Sequence, residues 1–366
     1  MILDRYFARR FLQSFLMIGG VFLTLIMLID LIEQLRRFEG IDISFAQMLA
    51  LTMLNAPTAI KEVLPLLMIM STIVLFIGLA RSSELVVTRA TGRSGIRALA
   101  APAIVAFIIG VLAVSTLNPI AAATSNRAQQ LSDNYRSGGP ATLSISGEGL
   151  WLRQGSTQGQ SVIHATGYGG ANEVILFDVT FLSYAPEGGP VRRIDAKSAR
   201  LEANEWRLSD AKVWELRSGQ NPESTATRHE ELQIPTTLTQ DRVRESLGRP
   251  AGISIYDLPD TIRALRLAGF STKRHEVWYQ VELARPLFLM AMVLVGASFT
   301  MRHARFGGTG IAVISAVLLG FALYFIRNFA QILGENGQIP VLLAAWGPPI
   351  ASILLTLGLL LHVEDG

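Results

Sequence analysis

The sequence predicts a membrane α-helical protein with six transmembrane helices, three before and three after an inserted all-β, jelly-roll-like domain. Three observations carry this expectation. Half of the 366 residues are hydrophobic and only 17% are charged, against roughly 25% charged in an ordinary soluble domain. The apolar residues lie in long runs toward both ends of the chain instead of being spread as a large core would spread them. Residues 125–276 have another texture, short alternating stretches broken by glycine and proline, which is how the strands of a sandwich or jelly roll are written.

Each element follows from length and polarity. Residues 11–32 form a run with one acid, Asp30, near its end. Those 22 residues cover roughly 33 Å, enough to cross a bilayer. Arg5, Arg9 and Arg10 precede the run as in a signal peptide. The run is too long for one, however, and no small-residue cleavage site follows, so it reads as an uncleaved first span. Residues 63–80 make the second span. Residues 45–62, interrupted by Pro57, Lys61 and Glu62, read as an interfacial extension or a kinked entry to it. The third covers about 99–123, with Pro102 near its start and Asn118-Pro119 near its end.

The alternating stretches that follow include 142–146, 174–184, 191–201 and 206–216. Turn signals separate them: Gly138-Gly139-Pro140, Gly169-Gly170 and the run from Pro186 to Pro190. A short helix comes next, capped by Asp257, with Pro259 in its first turn and Gly269 as its stop. Spans over about 278–301, 309–333 and 339–361 close the chain. The predicted organisation is therefore 1–124 for spans one to three, 125–276 for the β domain with its short connecting helix, and 277–366 for spans four to six.

Charge places these parts. Residues 125–276 hold 18 basic and 18 acidic side chains, so the net +3 of the chain belongs to the membrane-associated remainder. The basic balance is thus no sign of nucleic-acid binding. With the N-terminus inside, the inner segments carry Arg5, Arg9, Arg10, Arg81, Arg89, Arg93, Arg97, Arg302 and Arg305, while the short outer loops carry Arg36 and Arg37. By the positive-inside rule both termini are cytoplasmic and the β domain is on the outer side.

Several chemistries are excluded. There is no cysteine, hence no thiol catalysis, thiolate metal site or disulfide. No phosphate-binding loop, HExxH zinc motif or GxSxG nucleophile elbow occurs, and the five histidines are scattered. No catalytic residue, metal site or cofactor of the chain's own is expected.

The informative short segment is the inner loop 81–97. A helix there puts Leu85, Val86 and Ala90 on one apolar strip with Glu84 and Arg89 beside it. A solvated loop explains the arginines; a short helix docking into a groove on a cytoplasmic partner explains the apolar strip as well. Arg36 and Arg37 break the positive-inside trend just beyond the first span. They are either snorkelling anchors or a guanidinium pair for an anionic head group. Lys61 with Glu62 reads as a local interfacial pair. Arg327 lies six residues from the end of its predicted span and can snorkel outward or face a cavity. Trp206 and Trp214 read as β-domain core, and Trp151 lies near the entry to that domain.

Specific strings now meet this topology. Leu3-Asp4-Arg5-Tyr6, Glu33 to Arg37, Pro57 with Pro65, Arg81 to Val87 leading to Ala90-Thr91-Gly92, Gly149-Leu150-Trp151, Tyr279, Pro286, Ile339-Pro340 and Ala345-Trp346-Gly347-Pro348 together resemble the lipopolysaccharide-export permease family LptF/LptG, over essentially the whole chain. The opening string and Gly149–Trp151 lean toward its LptG branch. The resemblance implies an inner-membrane subunit that pairs with a sister permease, LptF. A cytoplasmic ATPase dimer, LptB, which itself binds the ATP and magnesium, would drive the pair. It would extract lipopolysaccharide and pass it to LptC and a periplasmic bridge.

Residue by residue, it implies a coupling segment for the ATPase made of Arg81, Glu84, Leu85, Val86, Val87, Arg89 and Gly92. It implies substrate contacts at Arg36, Arg37, Arg127 and Arg327. One departure stands out: Asp30 occupies a place where relatives can carry a lysine. An acid there would repel a phosphate, so it points elsewhere or pairs with a base such as Arg327. A rival reading from another class is a non-transporting membrane scaffold that relays an inner signal to its outer β domain.

Overall fold

A computed structural model of the chain describes all residues except 1, 40–42, 91–93, 137–142, 147–148, 157–158, 170–173, 186–188, 203–204, 217–220, 237–249, 268–270, 302–308 and 366. The order is α1 (Ile2–Arg37), α2 (Phe45–Arg81), α3 (Glu84–Ala90), α4 (Gly95–Leu112), a π-helical segment (Ala113–Leu117) and α5 (Asn118–Arg136). Seven strands come next: β1 (Leu143–Ser146), β2 (Gly149–Ser156), β3 (Gly159–Gly169), β4 (Val174–Tyr184), β5 (Pro190–Glu202), β6 (Glu205–Glu215) and β7 (Thr227–Pro235). Four helices complete the chain: α6 (Leu258–Leu267), α7 (Lys273–Thr300), α8 (Thr309–Glu335) and α9 (Val341–Asp365). Among the described residues six helices are long and apolar enough to cross a membrane, three before and three after the strands. The chain divides into two units, one of Met1–Ala128, Ser254–Tyr256 and Lys273–Gly366, the other of Gln129–Ile253 and Asp257–Thr272.

The helical unit is organised around α7. Along its apolar window 78% of residues are buried, against none along that of α1. α2, α4, α8 and α9 all pack on α7, while α1 leans on α2 and α4. Small residues set the approach of the helices, as in other membrane bundles. A Cβ on Gly110 would come within 2.5 Å of the Pro286 backbone, and one on Gly296 within 2.8 Å of Thr72.

Residues 45–62 continue the second span as one helix, α2, with Pro57 and Pro65 inside it, so of the two readings the extension describes them. Ser44 caps it with a reciprocal box, its N–H donating to Gln47 Oε1 at 2.9 Å while its hydroxyl accepts from Gln47 N–H. A proline inside a helix leaves the carbonyl four residues earlier without its donor. For Pro65 that carbonyl belongs to Lys61, and Arg285 of α7 donates to it at 3.1 Å. The third span likewise runs on through the π segment, whose Ser115 carbonyl accepts from Tyr256 Oη at 3.0 Å while Asn118 accepts from Ile255 N–H at 3.0 Å.

The other unit holds one antiparallel sheet in which each strand pairs with the next, β1 through β7. The predicted β domain is present as such a meander; the long crossings of a Greek-key jelly roll are not found among the described strands. One line crosses the sheet where the ladders skip a residue on adjoining strands: Asp178 between β3 and β5, Lys197 and Asp210 between β5 and β6, Asp210 again toward β7. Buried side chains change parity at that line, from Val174 and Leu176 to Val179 and Phe181, and from Trp206 and Leu208 to Ala211. Asp178 and Asp210 reach this with positive φ, 48° and 52°. The parity change keeps the apolar side chains in one cluster, with Trp206 at 1% exposure within it and Leu265 of α6 packed against it. The short helix starts as expected, Thr261 N–H donating to Asp257 O at 3.0 Å; its expected stop, Gly269, lies outside the described residues.

Candidate functional site

The predicted coupling residues gather at one place. Arg81 ends α2 and is exposed. Ser83, at φ 58°, turns the chain sharply into α3. In α3 the side chains sort by helical phase. Leu85 and Thr88, three apart, are buried, whereas Val86 and Val87 are 51% and 62% exposed and Ala90 is exposed beside them. The outward strip is therefore Val86, Val87 and Ala90. Leu85 leaves the predicted strip because it packs into the bundle core with Phe7 and Phe11. The Arg89 side chain and Gly92 lie outside the described residues.

Glu84 faces the N-terminal turns of α1. Its Oε2 accepts from Tyr6 Oη at 2.7 Å and its Oε1 from Ser82 Oγ at 2.8 Å, with Arg10 Nη2 at 3.4 Å from Oε1. Burial pushes the carboxyl up, but the two hydrogen bonds and the Arg10 charge outweigh it and hold Glu84 below the ordinary glutamate value.

The second place is inside the bundle. Glu282 of α7 is fully buried and receives both Nε and Nη2 of Arg285, at 3.0 and 2.6 Å, with Lys61 Nζ of α2 at 3.4 Å. Lys61 also sits 5.2 Å from the centroid of the Trp278 ring. Arg327 of α8, at 8% exposure, lies 5.2 Å from the Phe288 ring centroid and donates to Asn328 at 3.4 Å. Two readings change here. Lys61 pairs with Glu282 across the bundle, not with the neighbouring Glu62, which is exposed. Arg327 turns inward instead of snorkelling and lies over the Phe288 ring, an aromatic face that a guanidinium favours.

The third place is the far end of α1. Arg36 and Arg37 occupy its last turn, where cations suit the helix dipole. Both are exposed, between the buried Gln34 and Phe38. Asp30 accepts from Asn55 Nδ2 of α2 at 3.4 Å. Its partner is an amide on α2, not Arg327. Arg127 is exposed on α5.

Sequence reasoning missed Tyr6, Arg10, Glu282, Arg285 and Asn55. Each partners a residue it did single out. The signals present were Tyr6 and Arg10 four apart on one helix face, and Glu282 three before Arg285 in a span.

Comparison with known proteins agrees with this architecture. The family model described as lipopolysaccharide export system permease LptF/LptG matches residues 5–362. The lipopolysaccharide export system permease protein LptG of Haemophilus influenzae is 26% identical over 370 residues, covering 96% of this chain and 95% of its own. The protein of the same name from Escherichia coli K12 is 22% identical over 365 residues, covering 99% and 98%. A match that runs through all six spanning helices and the sheet between them places the chain: it belongs to the LptF/LptG family of lipopolysaccharide export system permeases.

Proposed function

We infer that this chain is the membrane subunit of an ATP-driven exporter that extracts lipopolysaccharide from the inner membrane and passes it to a periplasmic bridge. The observation that carries the reading is α3, a seven-residue helix that turns two valines outward while its acid is held by α1. A small apolar knob of this kind suits a groove on another protein. The sequence has no phosphate-binding loop, so ATP hydrolysis is assigned to that other protein, the LptB dimer. LptF is the sister permease, and LptC with the bridge receives the lipid. The arginine count supports a reading with α3 and both termini in the cytoplasm and the β unit in the periplasm.

The lipid's path follows from coverage. α1 and α8 are the least covered spans, with none and 22% of their apolar windows buried. Facing the same helices of the sister permease, they would line a shared cavity. Arg36 and Arg37 stand exposed at its outer rim, where their planar donors suit lipid A phosphates. Closure of the ATPase dimer pushes α3, narrows the cavity and drives the lipid outward.

The test is reconstitution of the chain with its sister permease and ATPase in liposomes loaded with lipopolysaccharide. ATP is expected to release the lipid to a soluble acceptor. Arg36→Glu together with Arg37→Glu should cut lipid capture about tenfold or more, the loss expected for charged hydrogen bonds, and leave the complex assembled. Normal export by that double variant removes the pair from the mechanism.

A further inference from the structure

We propose that Asn118 and Tyr256 are positioning residues that fasten the chain returning from the β unit onto the third span, and that lipid handover depends on this fastening. The proposal rests on the reading of the chain as a lipid exporter whose β unit receives the lipid. The third span has a built-in weak point. Pro119 has no N–H to donate, so the Ser115 carbonyl four residues earlier loses its helical partner. The backbone before it takes the π form over Ala113–Leu117, with Asn118 N–H bonded to Ala113 O. Long helices bend at interruptions of this kind. Beyond this one, α5 carries the chain out to the β unit.

The groups that answer the interruption come from far along the chain. Tyr256 Oη donates to the open Ser115 carbonyl at 3.0 Å, and Ile255 N–H donates to Asn118 Oδ1 at 3.0 Å. Ile255 is buried, and Asn118 is 1% exposed. Asn118 Nδ2 has no acceptor among the described residues. A buried amide left half satisfied is costly, and an apolar side chain would fill the place at less cost. What the amide supplies is the hold on Ile255.

The path of the chain shows what that hold does. The chain leaves the helical unit after Ala128, rejoins it at Ser254–Tyr256, departs again for α6 and returns at Lys273. Leu265 of α6 belongs to the core of the β unit. Three residues therefore pin the returning chain to the point where the outgoing span is weakest. With the pin in place, a movement of the bundle reaches the β unit. Without it, the movement is lost in bending about Pro119.

The experiment uses the full complex with its sister permease and ATPase in liposomes loaded with lipopolysaccharide. It reads ATP turnover, lipid held by the complex, and lipid released to a soluble acceptor per ATP. Tyr256→Phe, whose ring is largely exposed, and Asn118→Ala should each keep turnover and held lipid within about twofold, while release per ATP falls about fivefold, as for one lost hydrogen bond. The chain has no cysteine, so the fastening can also be replaced by a covalent one. Ser115→Cys combined with Tyr256→Cys should release lipid poorly when reduced, and recover release when a bifunctional thiol reagent joins the two thiols. A folding defect would not recover on bridging. Unchanged release per ATP in both Tyr256→Phe and Asn118→Ala overturns the proposal, and so does bridging that fails to restore release. A fall in turnover or held lipid in step with release in Tyr256→Phe also overturns it, because the residue then serves the bundle as a whole. Failure of the unsubstituted complex to release lipid with ATP refutes the underlying reading of the chain, and is seen before any substitution is made.

Discussion

At the scale of single residues, the least replaceable side chain is Glu282. Burying a carboxylate is costly unless it is paired and hydrogen-bonded, and here Arg285 and Lys61 answer it. Arg285 has a second duty, since it also satisfies the Lys61 carbonyl that Pro65 leaves open. Removing one partner of a buried pair exposes the other to its full desolvation penalty, about 3–5 kcal/mol. Glu282→Ala leaves three cations, Lys61, Arg285 and Arg327, around an apolar gap, and thermal unfolding in detergent should show a loss of that size. Lys61→Met should cost much less, because the bidentate Arg285 still holds Glu282. Equal losses from the two changes would contradict this assignment. The sequence shows Lys61 and Arg327 as costly charges in apolar runs, so that something answers them is legible. What answers them is not, because Lys61 and Arg285 are 224 residues apart and only the packing of α2 on α7 brings them together.

At the scale of elements, the helices and strands were legible where one rule governs them. Apolar length marks the spans, and short partly alternating stretches between turn signals mark β4, β5 and β6. Legibility fails where tertiary partners override a local signal. Prolines 57 and 65 suggest a break between two pieces, yet α2 is continuous, and at Pro65 Arg285 replaces the missing donor. Alternation in β4 and β6 predicts flat strands, yet both change parity at an aspartate with positive φ. Thr166 Oγ1 donates to Asp178 Oδ2 at 3.3 Å, and Arg228 lies 3.4 Å from Asp210. These contacts help hold a conformation that non-glycine residues enter at about 1–2 kcal/mol. Asp210→Gly should therefore be neutral or stabilise the sheet by up to about 1 kcal/mol, whereas Asp210→Val should destabilise it by about 1–3 kcal/mol. Hydrogen exchange of β5 and β6 amides in the purified chain reads both. Greater protection in the valine variant would show that the line across the sheet is not where its strain resides.

At the scale of the whole molecule, the family and the six-span plan with its inserted sheet were legible, since they depend on composition and on strings spread along the chain. The candidate site was legible only by position. The segment 81–92 and the pair Arg36 and Arg37 were singled out, but the direction a side chain takes depends on how α1 packs against α2 and α3, which local sequence does not show. Hence Leu85 was expected on the outward strip and is inside, and Asp30, expected to point elsewhere or to pair with a base such as Arg327, meets the amide of Asn55. The proposed account is a division of labour: α7 and its buried ions hold the bundle, α3 would receive the partner's push, and the exposed Arg36 and Arg37 would meet the lipid. Purification of the tagged chain from its native membrane in mild detergent, followed by native mass spectrometry, tests that account most directly. The account predicts one assembly holding this chain, a sister permease, two copies of a soluble ATPase and bound lipopolysaccharide. A lone chain or a homo-oligomer, free of ATPase and lipid under the same gentle conditions, would contradict it and favour a membrane scaffold.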